Sequence, residues 1–511
     1  MKTKKRKDRK KRKRKVDKSA TFRGRSDRSG PLLRSQNLVY EVSHRVRAIE
    51  CGGIGGMHTM VAKLGLIDAL NEGVHLFQRH VPYWESDHVL HLTYNILTGG
   101  TCIQDGDRLR ADAGYLAALG VKRLPHPTTS GDFLRRFTTE ASLLGVQEAI
   151  NEVRQTVWAQ QPTSFREEAI IDVDGTHAPT LGECKEGMGY SHKGIWGYAP
   201  LLITLDATRE VLYIVNRPGN VVSHDGAVAW IDRAIALTQE TFHKVWIRGD
   251  TDFSLTAHFD RWDAQGVRFV FGFDAMPNLV EKADALPKEA WELLERLPSY
   301  EVKTRPRKRP PKIKAQIVHQ RRYKKIATVK EEVAEFSYQP GKCHKPYRVV
   351  ALRKHLRITR GDHLVEERVC YFFYITNDMS DESSDDTHKT SAQIVAFSND
   401  RCDQENHIEQ VKNGVNAVRC PTGDLLSNGA YMIIATLAWN LKAWYGLLMP
   451  NRTLGEQIVR MEFKRFLTTW IRIPAQVIHT GRRLVLRLLK ITWNTQSLLT
   501  TCAALKQIRS P

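Results

Sequence analysis

The sequence predicts an α/β protein in which a mixed sheet is flanked by helices. Two observations carry this prediction. Short β-branched and aromatic runs, each ended by a turn, occur between residues 168 and 273, and helical patterns separate them. The resulting order of strand, hairpin, helix, strand, helix and strand is typical of a mixed sheet covered by helices. A helical segment comes before this region, and a basic, Pro-rich segment interrupts it.

The first element is helical and extends from about residue 39 to residue 160. Apolar residues recur at helical spacing in MHTMVAKLGLIDALNE and in HVLHLTYNIL. The glycines of CGGIGG (51–56) do not complete a dinucleotide-binding pattern, so we expect a turn before a helix. LPHPTTSGDFLRRF (124–137) predicts a helix start and then an amphipathic helix that carries Arg135 and Arg136.

The sheet begins at AIIDVDGT (169–176). Further strands are predicted at APLLITL (199–205) and EVLYIVN (210–216), on either side of a turn. A helix from about Gly226 to Glu240, a strand at HKVWIRG, a short helix after Ser254 and a strand at VRFVFGF complete the order. This is the order of an RNase H-like domain.

From about Asp274 to Leu364 an insertion interrupts the sheet. It contains a Pro-rich, Lys/Arg-rich stretch and then alternating segments such as EVAEFSYQP and YRVVALRKH, so we expect it to be basic and β-rich. The sheet resumes at VCYFFYITN (369–377), and a helix from about Ala392 follows an acidic loop. A long apolar helix near 430–447 packs behind this part.

The composition favours a nucleic-acid partner. Lys and Arg number 77 against 56 Asp and Glu, a net charge of +21. So large an excess costs self-repulsion unless a polyanion neutralises it. Basic residues cluster at 2–15, where a solvated tail is the alternative interpretation, and again at 303–325. The candidate DNA contacts outside the sheet are Arg135, Arg136, Arg307, Lys308 and Arg309; an ordinary surface helix is the alternative for the first two.

Several protein classes do not fit the sequence. No apolar run approaches the roughly 18 residues of a membrane span, and no apolar stretch follows the N-terminal charges, so we expect a cytoplasmic protein without membrane contact. The eight cysteines show no CxxC pair or metal-finger spacing, which favours free thiols. There is no GxSxG sequence, so His177 and His192 have no serine partner to activate.

Three carboxylates are placed where they can converge. Asp174 ends the first strand, Asp250 ends the strand after the helix, and Glu405 lies on a helix beyond the insertion. Oxygen ligands of this kind suit Mg²⁺ or Mn²⁺, and two such ions about 4 Å apart suit phosphoryl transfer. Geometry leaves the choice of acids open, although its position at the turn favours Asp174. The neighbouring rivals are Asp172, Asp252 and Glu409.

The helix that carries Glu405 also carries basic residues. At about 100° per residue, Arg401, Glu405 and Lys412 lie within roughly 40° of one another on one face. One acid and two bases on one face suit a metal ion together with DNA phosphates. A solvated helix with an Arg–Glu pair is the alternative.

These stretches resemble a known family. IIDVDGTH with Asp174, WIRGDTDF with Asp250 and RCDQENHIEQVKNG with Glu405 are similar to the DDE-type bacterial insertion-sequence transposases, specifically insertion-sequence family 1380. The resemblance covers about residues 45 to 490. It implies that Asp174, Asp250 and Glu405 are the catalytic and metal-binding acids. The rival acids would then be supporting or surface groups.

The larger superfamily has a signature of Tyr, two residues, Arg, three residues, Glu, six residues and Lys. Here Arg401, Glu405 and Lys412 fill the last three places, and Ser398 stands where the signature has Tyr. The family's Tyr is associated with phosphate contacts near the cleaved end. The resemblance therefore implies phosphate binding by Arg401 and Lys412 and leaves the role of Ser398 open.

The resemblance implies a transposase that uses two Mg²⁺ or Mn²⁺ ions. The expected partners are double-stranded DNA, as terminal inverted repeats and as target, and a second copy of the chain in a synaptic complex. The expected location is the bacterial cytoplasm, on the nucleoid when bound to DNA. The alternatives are a catalytically inactive DNA-binding regulator and a stand-alone RNase H-like nuclease. Inverted repeats beside the coding region would favour transposition over both.

Together these patterns predict six regions. They are a basic disordered tail (1–38), a helical DNA-binding domain (39–160), the first part of an RNase H-like catalytic core (161–273), a basic β-rich insertion (274–364), the second part of the core (365–450) and a C-terminal region (451–511).

Overall fold

The computed structural model describes residues 46–80, 82–296, 313–379, 388–481, 483–489 and 494–508. Contacts divide the chain into two units, Met1–Val46 and Arg47–Pro511, and all elements below belong to the second unit. The predicted basic tail lies outside the described residues, and so do Arg307, Lys308 and Arg309. None of the described helices is long and apolar enough to cross a membrane.

The N-terminal part of the second unit is helical, as predicted. A short strand precedes the helices, and the CGGIGG glycines lead into the first of them. A side chain at Gly53 would lie 1.9 Å from the carbonyl oxygen of Trp470, so only glycine fits this close backbone contact. The elements are β1 (Arg47–Ile49), α1 (Ile54–Lys63), α2 (Leu66–Gly73), α3 (Glu85–Leu97), α4 (Gly106–Ala111), α5 (Ala113–Ala118), α6 (Pro127–Leu134) and α7 (Glu140–Ala159).

Helix α6 is shorter than the amphipathic helix predicted over 124–137. It ends before Arg135 and Arg136, so the prediction that both arginines lie on this helix is wrong. The last turn tightens, because the Arg136 and Phe137 N–H groups donate to carbonyls only three residues earlier. This turn brings the buried Phe137 ring within 5.4 Å of the Phe133 ring. Burial of two aromatic rings therefore ends the helix and leaves the arginines in the following turn.

The predicted strands and helices of the sheet region are all present. The structure adds a second, small sheet of very short strands, β3, β4 and β5, which the sequence did not indicate. The elements are β2 (Glu168–Gly175), β3 (Ala178–Pro179), β4 (Gly189–Tyr190), β5 (Trp196–Tyr198), β6 (Leu201–Leu205), β7 (Glu210–Val215), α8 (Ala227–Gln239), β8 (Lys244–Gly249), α9 (Phe259–Ala264) and β9 (Arg268–Phe273).

The predicted insertion extends the large sheet. Its long strands pair with one another antiparallel, and Phe373–Thr376 pair with β9. The described part is β-rich as predicted, but the strand expected from residue 369 already begins at His363. The elements are α10 (Pro277–Asp284), β10 (Glu292–Leu293), α11 (Ile313–Gln320), β11 (Lys324–Tyr338), β12 (Tyr347–Arg360) and β13 (His363–Thr376).

The C-terminal part is mainly helical and returns to the N-terminal strand. Strand β1 pairs with β14, which pairs with β15. The elements are α12 (Ser391–Asn399), α13 (Cys402–Glu409), α14 (Leu425–Leu447), α15 (Arg452–Arg460), α16 (Phe463–Phe466), β14 (Ala475–Thr480), β15 (Arg483–Leu488) and α17 (Thr495–Leu505), with a π turn at Gln410–Gly414 between α13 and α14.

The large sheet has the strand order β10-β11-β12-β13-β9-β8-β2-β6-β7. Strands β2, β8 and β9 are parallel, whereas β6 and β13 run antiparallel to their neighbours β2 and β9. The register places Asp172 beside Arg248 and Val173 beside Gly249. The carboxyl ends of β2 and β8 therefore meet at one edge of the sheet.

Helices cover both faces of the large sheet. Ile171 and Val173 pack on one face in a core that includes Ile231 of α8. The alternate residues of the strands face the other way, where Trp246 packs in a core with Ile394 of α12. This confirms the predicted mixed sheet flanked by helices. A third core joins the N-terminal helices to α14 and the C-terminal helices, so the region boundaries predicted within 47–511 stay predictions.

Candidate active site

Two of the predicted acids meet at the edge formed by β2 and β8. Asp174 is the next-to-last residue of β2, and Asp250 directly follows β8. Their side chains are 17% and 35% exposed, and one nitrogen of the Arg401 guanidinium, Nη1, lies 3.2 Å from Asp174 Oδ2 and 4.0 Å from Asp250 Oδ2. Three residues that are distant in sequence therefore form one charged cluster.

The surroundings of the two carboxylates disfavour their charged form. Burial raises the pKa of Asp174 to about 6; Arg401 acts in the opposite direction, and the neighbouring charge of Asp250 adds to the rise. Burial also raises the pKa of Asp250, again against Arg401. A nearby cation stabilises the charged form of carboxylates that are both partly buried and close together. The site therefore has the properties of a cation-binding site.

Asp172, the rival of Asp174, is fully engaged elsewhere. Its carboxylate accepts hydrogen bonds from Arg248 Nε at 2.6 Å and from Nη2 at 2.8 Å, and both side chains are buried. Arg248 also donates to Asp206 at 3.1 Å and to the Phe397 carbonyl on α12 at 2.8 Å. Removing one partner of such a buried pair would leave an uncompensated charge, so Asp172 has a structural role.

The other two rivals lie at the margin of the site. Asp252 is exposed, and its N–H donates to Asp250 Oδ1 at 3.0 Å, which helps to orient the Asp250 carboxylate. Glu409 Oε1 accepts a hydrogen bond from Asn413 at 2.7 Å and lines a different cavity from Glu405. Neither carboxylate is placed beside Asp174.

Glu405 lies on the wall of an open cavity of about 400 Å³ that also exposes Asp250 and Arg401. Its side chain is exposed. Within the described part of the chain, no group of three or more His, Cys, Asp or Glu side chains is arranged as a metal site. The structure thus gathers Asp174 and Asp250 around Arg401 and places Glu405 on the cavity that Asp250 and Arg401 line. Aromatic residues of β13 also line this cavity: Tyr371, Phe372, Phe373 and Tyr374.

The helix that carries Glu405 does not continue to Lys412 as a regular α-helix. It changes to a π turn at Gln410–Gly414, so the predicted even spacing of 100° per residue does not hold across this segment. Phe463, which lies outside the turn, anchors it, because the Gln410 side-chain oxygen accepts a hydrogen bond from the Phe463 N–H at 2.9 Å. Burial lowers the pKa of Lys412, and Glu409 and Asp174 act in the opposite direction. The charge of Lys412 therefore still acts on Asp174.

The remaining predicted residues lie in different surroundings. Ser398 is buried at the end of α12 and lines the same cavity as Tyr374, so phenol groups of β13 stand near the place of the signature Tyr. Arg135 pairs with Asp132 at 3.0 Å, and the Arg136 guanidinium lies 4.9 Å from the centre of the Phe77 ring. Both arginines are exposed, and neither lines the cavity.

The sequence interpretation missed the polar groups that follow Asp174. The His177 ring lies 6.1 Å from the His192 ring, and Lys193 at the β4–β5 turn acts electrostatically on Asp250. These histidines were considered only as partners of a serine. The one available signal was the turn sequence SHKG (191–194), which places a histidine and a lysine at the tip of a hairpin.

Comparison with known proteins gives one family match. A family model described as transposase DDE domain group 1 matches residues 51–510. The comparison with curated proteins found no match. Among solved structures, the chain is similar to the piggyBac transposase in a synaptic complex with hairpin DNA, determined by cryo-EM, at 9% identity, over 82% of this chain and 84% of that chain, with a TM-score of 0.32.

Proposed function

Because the chain belongs to the group 1 family of DDE transposase domains, we propose that it cuts and joins DNA at the Asp174 and Asp250 site as an insertion-sequence transposase of family 1380. The observation that carries the proposal is the placement of both carboxylates around one cation, the Arg401 guanidinium, at the ends of adjacent parallel strands. The strand order β7-β6-β2-β8-β9 supports an RNase H-like core.

The donor atoms fit a divalent metal ion. Asp174 and Asp250 offer carboxylate oxygens where the protein already holds a positive charge, and Glu405 adds a carboxylate on the cavity that Asp250 lines. Asp174, Asp250 and Glu405 would together hold Mg²⁺ or Mn²⁺, in two positions by our proposal. When bound, such ions polarise a phosphodiester and lower the pKa of water.

The side chains around the acids position the DNA. Arg401 and Lys412 bind phosphate oxygens, and the open cavity admits the strand. Water adds to the phosphorus at the end of the element, and the 3′-oxygen leaves as a hydroxyl. That hydroxyl then attacks a target phosphodiester in line, its proton is lost, and the target strand's own 3′-oxygen leaves as a hydroxyl, so one site performs both hydrolysis and strand transfer.

The proposed partners are terminal inverted repeats, target DNA and a second copy of the chain that holds the other end. The net charge of +21 supports a polyanionic partner. Arg135 and Arg136 are exposed and can contact phosphates beyond the cavity. We propose the same role for Arg307, Lys308 and Arg309. We also propose that the protein acts in the bacterial cytoplasm.

The test uses purified protein, Mg²⁺ and labelled duplexes that carry the DNA flanking the coding region. Asp174→Asn, Asp250→Asn and Glu405→Gln should abolish cleavage and retain binding to the duplex. Asp252→Asn and Glu409→Gln are the matched controls, because each removes one exposed carboxylate near the site, and both should cut. Full strand transfer by Asp174→Asn or Asp250→Asn would overturn the proposal, and the same result for Glu405→Gln would remove that residue from it.

The two alternatives give different results in this assay. A catalytically inactive regulator binds the flanking duplex but never nicks it with either metal ion. A stand-alone RNase H-like nuclease cuts RNA–DNA hybrids or junctions and joins no 3′-end to target DNA.

A further inference from the structure

A rigid hairpin stands beside the site, and its tip carries a lysine. Strand β2 leads through Thr176 and His177 directly into β3, which pairs with β5, and β5 pairs with β4. The β4–β5 turn (191–195) is closed by two backbone hydrogen bonds of 2.9 Å, from Gly194 N–H to the Ser191 carbonyl and from Ser191 N–H to the Ile195 carbonyl. His192 and Lys193 form the exposed tip of this hairpin.

The base of the hairpin is held by contacts between backbones. Gly197 on β5 has φ +155°, and a side chain there would lie 2.2 Å from the Ala178 carbonyl oxygen of β3. The Gly219 backbone packs so closely against β5 that a side chain at this position would lie 1.9 Å from the Gly197 carbonyl oxygen. The Gly219 N–H also donates to the Gly187 carbonyl at 3.0 Å. Backbones packed this closely resist bending, so the tip is positioned before any substrate arrives.

The tip faces the charged cluster. The His192 ring lies 6.1 Å from the ring of His177, which follows Asp174 by three residues. The positive charge of Lys193 opposes the rise that burial causes in the pKa of Asp250, and it adds to burial in lowering the pKa of His177 and of Lys412. Lys193 therefore lies within electrostatic range of Asp250 and of Lys412.

Lys193 is exposed, and no carboxylate in the described part of the chain forms an ion pair with it. Arg401, by contrast, is engaged with both acids, and Lys412 is half-buried behind them. A phosphate that reaches Asp174 and Asp250 brings a negative charge to the side where Lys193 stands. An ammonium group with three donors is suited to hold a non-bridging phosphate oxygen.

We propose that Lys193 binds a phosphate of the DNA strand next to the bond that is cut, and that the β4–β5 hairpin is the rigid support that holds it there. This inference rests on the proposed function, because it assumes that the Asp174 and Asp250 site acts on DNA.

The first test compares Lys193→Gln with Lys193→Arg and with a control, Lys506→Gln, which removes one exposed lysine from the C-terminal region. Single-turnover cleavage of the flanking duplex is measured with protein in excess. We expect Lys193→Gln to slow cleavage by about tenfold or more, since it removes one charge-assisted hydrogen bond. Lys193→Arg should restore the rate to within about threefold, and Lys506→Gln should match the wild type.

The second test identifies the phosphate. Duplexes with a single uncharged methylphosphonate are prepared for each position around the cut. At the phosphate that Lys193 binds, the wild type should fall to the rate of Lys193→Gln, and the two proteins should no longer differ. A merely structural role of Lys193 would instead leave the same difference between the proteins on every duplex.

Each outcome decides the proposal. Equal cleavage by Lys193→Gln and Lys506→Gln overturns it and leaves the proposed function intact. A slow Lys193→Gln that arginine does not rescue, or whose defect is the same on every methylphosphonate duplex, also overturns it. A wild-type protein that does not cut the flanking duplex, while it binds that duplex, overturns the proposed function and this inference together.

Discussion

Replacing Asp174 by Asn should stabilise the metal-free protein at neutral pH while it abolishes cleavage. Burial raises the pKa of this carboxyl from 3.8 to about 6, with the opposing effect of Arg401 already included. The folded protein therefore favours the neutral form. A shift of about 2 units corresponds to about 3 kcal/mol of unfolding free energy, which the wild type loses when Asp174 ionises. Asparagine keeps the shape without the charge, so it avoids this loss.

The sign of the effect fixes its pH dependence. The folded-state pKa is raised, so the unfolded chain gives up its proton first as the pH rises. Below about pH 4 the carboxyl is neutral in both states, and variant and wild type should unfold alike. The advantage of the variant should grow between about pH 4 and pH 6 and stay constant above, because both states of the wild type are then ionised.

The assay is thermal unfolding in a chelator, at pH 4 and at pH 7.5. Asp172→Asn is the matched control: it lies two residues away on the same strand but is paired with the buried Arg248. That variant should lose about 3 to 5 kcal/mol, because it leaves Arg248 without its partner. The reasoning is refuted if Asp174→Asn unfolds at or below the wild-type temperature at pH 7.5, or if its gain is the same at both pH values.

Two further predictions test the support of the site. Glu210→Gln should lower the unfolding free energy by about 3 to 5 kcal/mol, because it leaves the charge of the buried Arg154, which pairs with Glu210 at 2.9 Å, uncompensated. Urea titrations measure this loss, and an unchanged midpoint would contradict the prediction. Gly197→Ala should expose the β4–β5 hairpin to faster proteolysis, since its side chain would collide with the Ala178 carbonyl. Gly341→Ala is the control, because a side chain there meets open space and the residue has no positive φ; it should be cut more slowly than Gly197→Ala.

Much of the sheet could be predicted because its information is local. The runs IIDVDG and VWIRGD combine apolar residues with an acid at the strand end, and both form the strands that bring Asp174 and Asp250 to one edge. The long helix α14 was equally evident, although it begins at Leu425 and not near residue 430. Period and turn signals suffice where an element is long and regular.

The details that define the site depend on contacts between distant residues. The pairing of Asp172 with Arg248 joins residues 76 positions apart, and no local pattern distinguishes Asp172 from Asp174. Strands of two or three residues, such as β3 and β5, are too short to show alternation. The π turn that contains Lys412 is held by Gln410, which accepts the Phe463 N–H from a distant part of the chain, so the regular helix assumed from the sequence could not reveal it.

The register of β2 and β8 explains why Asp172 has a structural role whereas Asp174 is available to bind a cation. Asp172 lies beside Arg248, so this layer of the sheet carries one negative and one positive charge and can be buried. Two residues further along the chain in each case, Asp174 on β2 and Asp250 directly after β8 reach the edge of the sheet. This layer of side chains therefore carries two negative charges. Arg401 supplies only one positive charge from outside the sheet. A layer that remains negative and partly exposed attracts further cations, whereas the layer beneath it is already neutral.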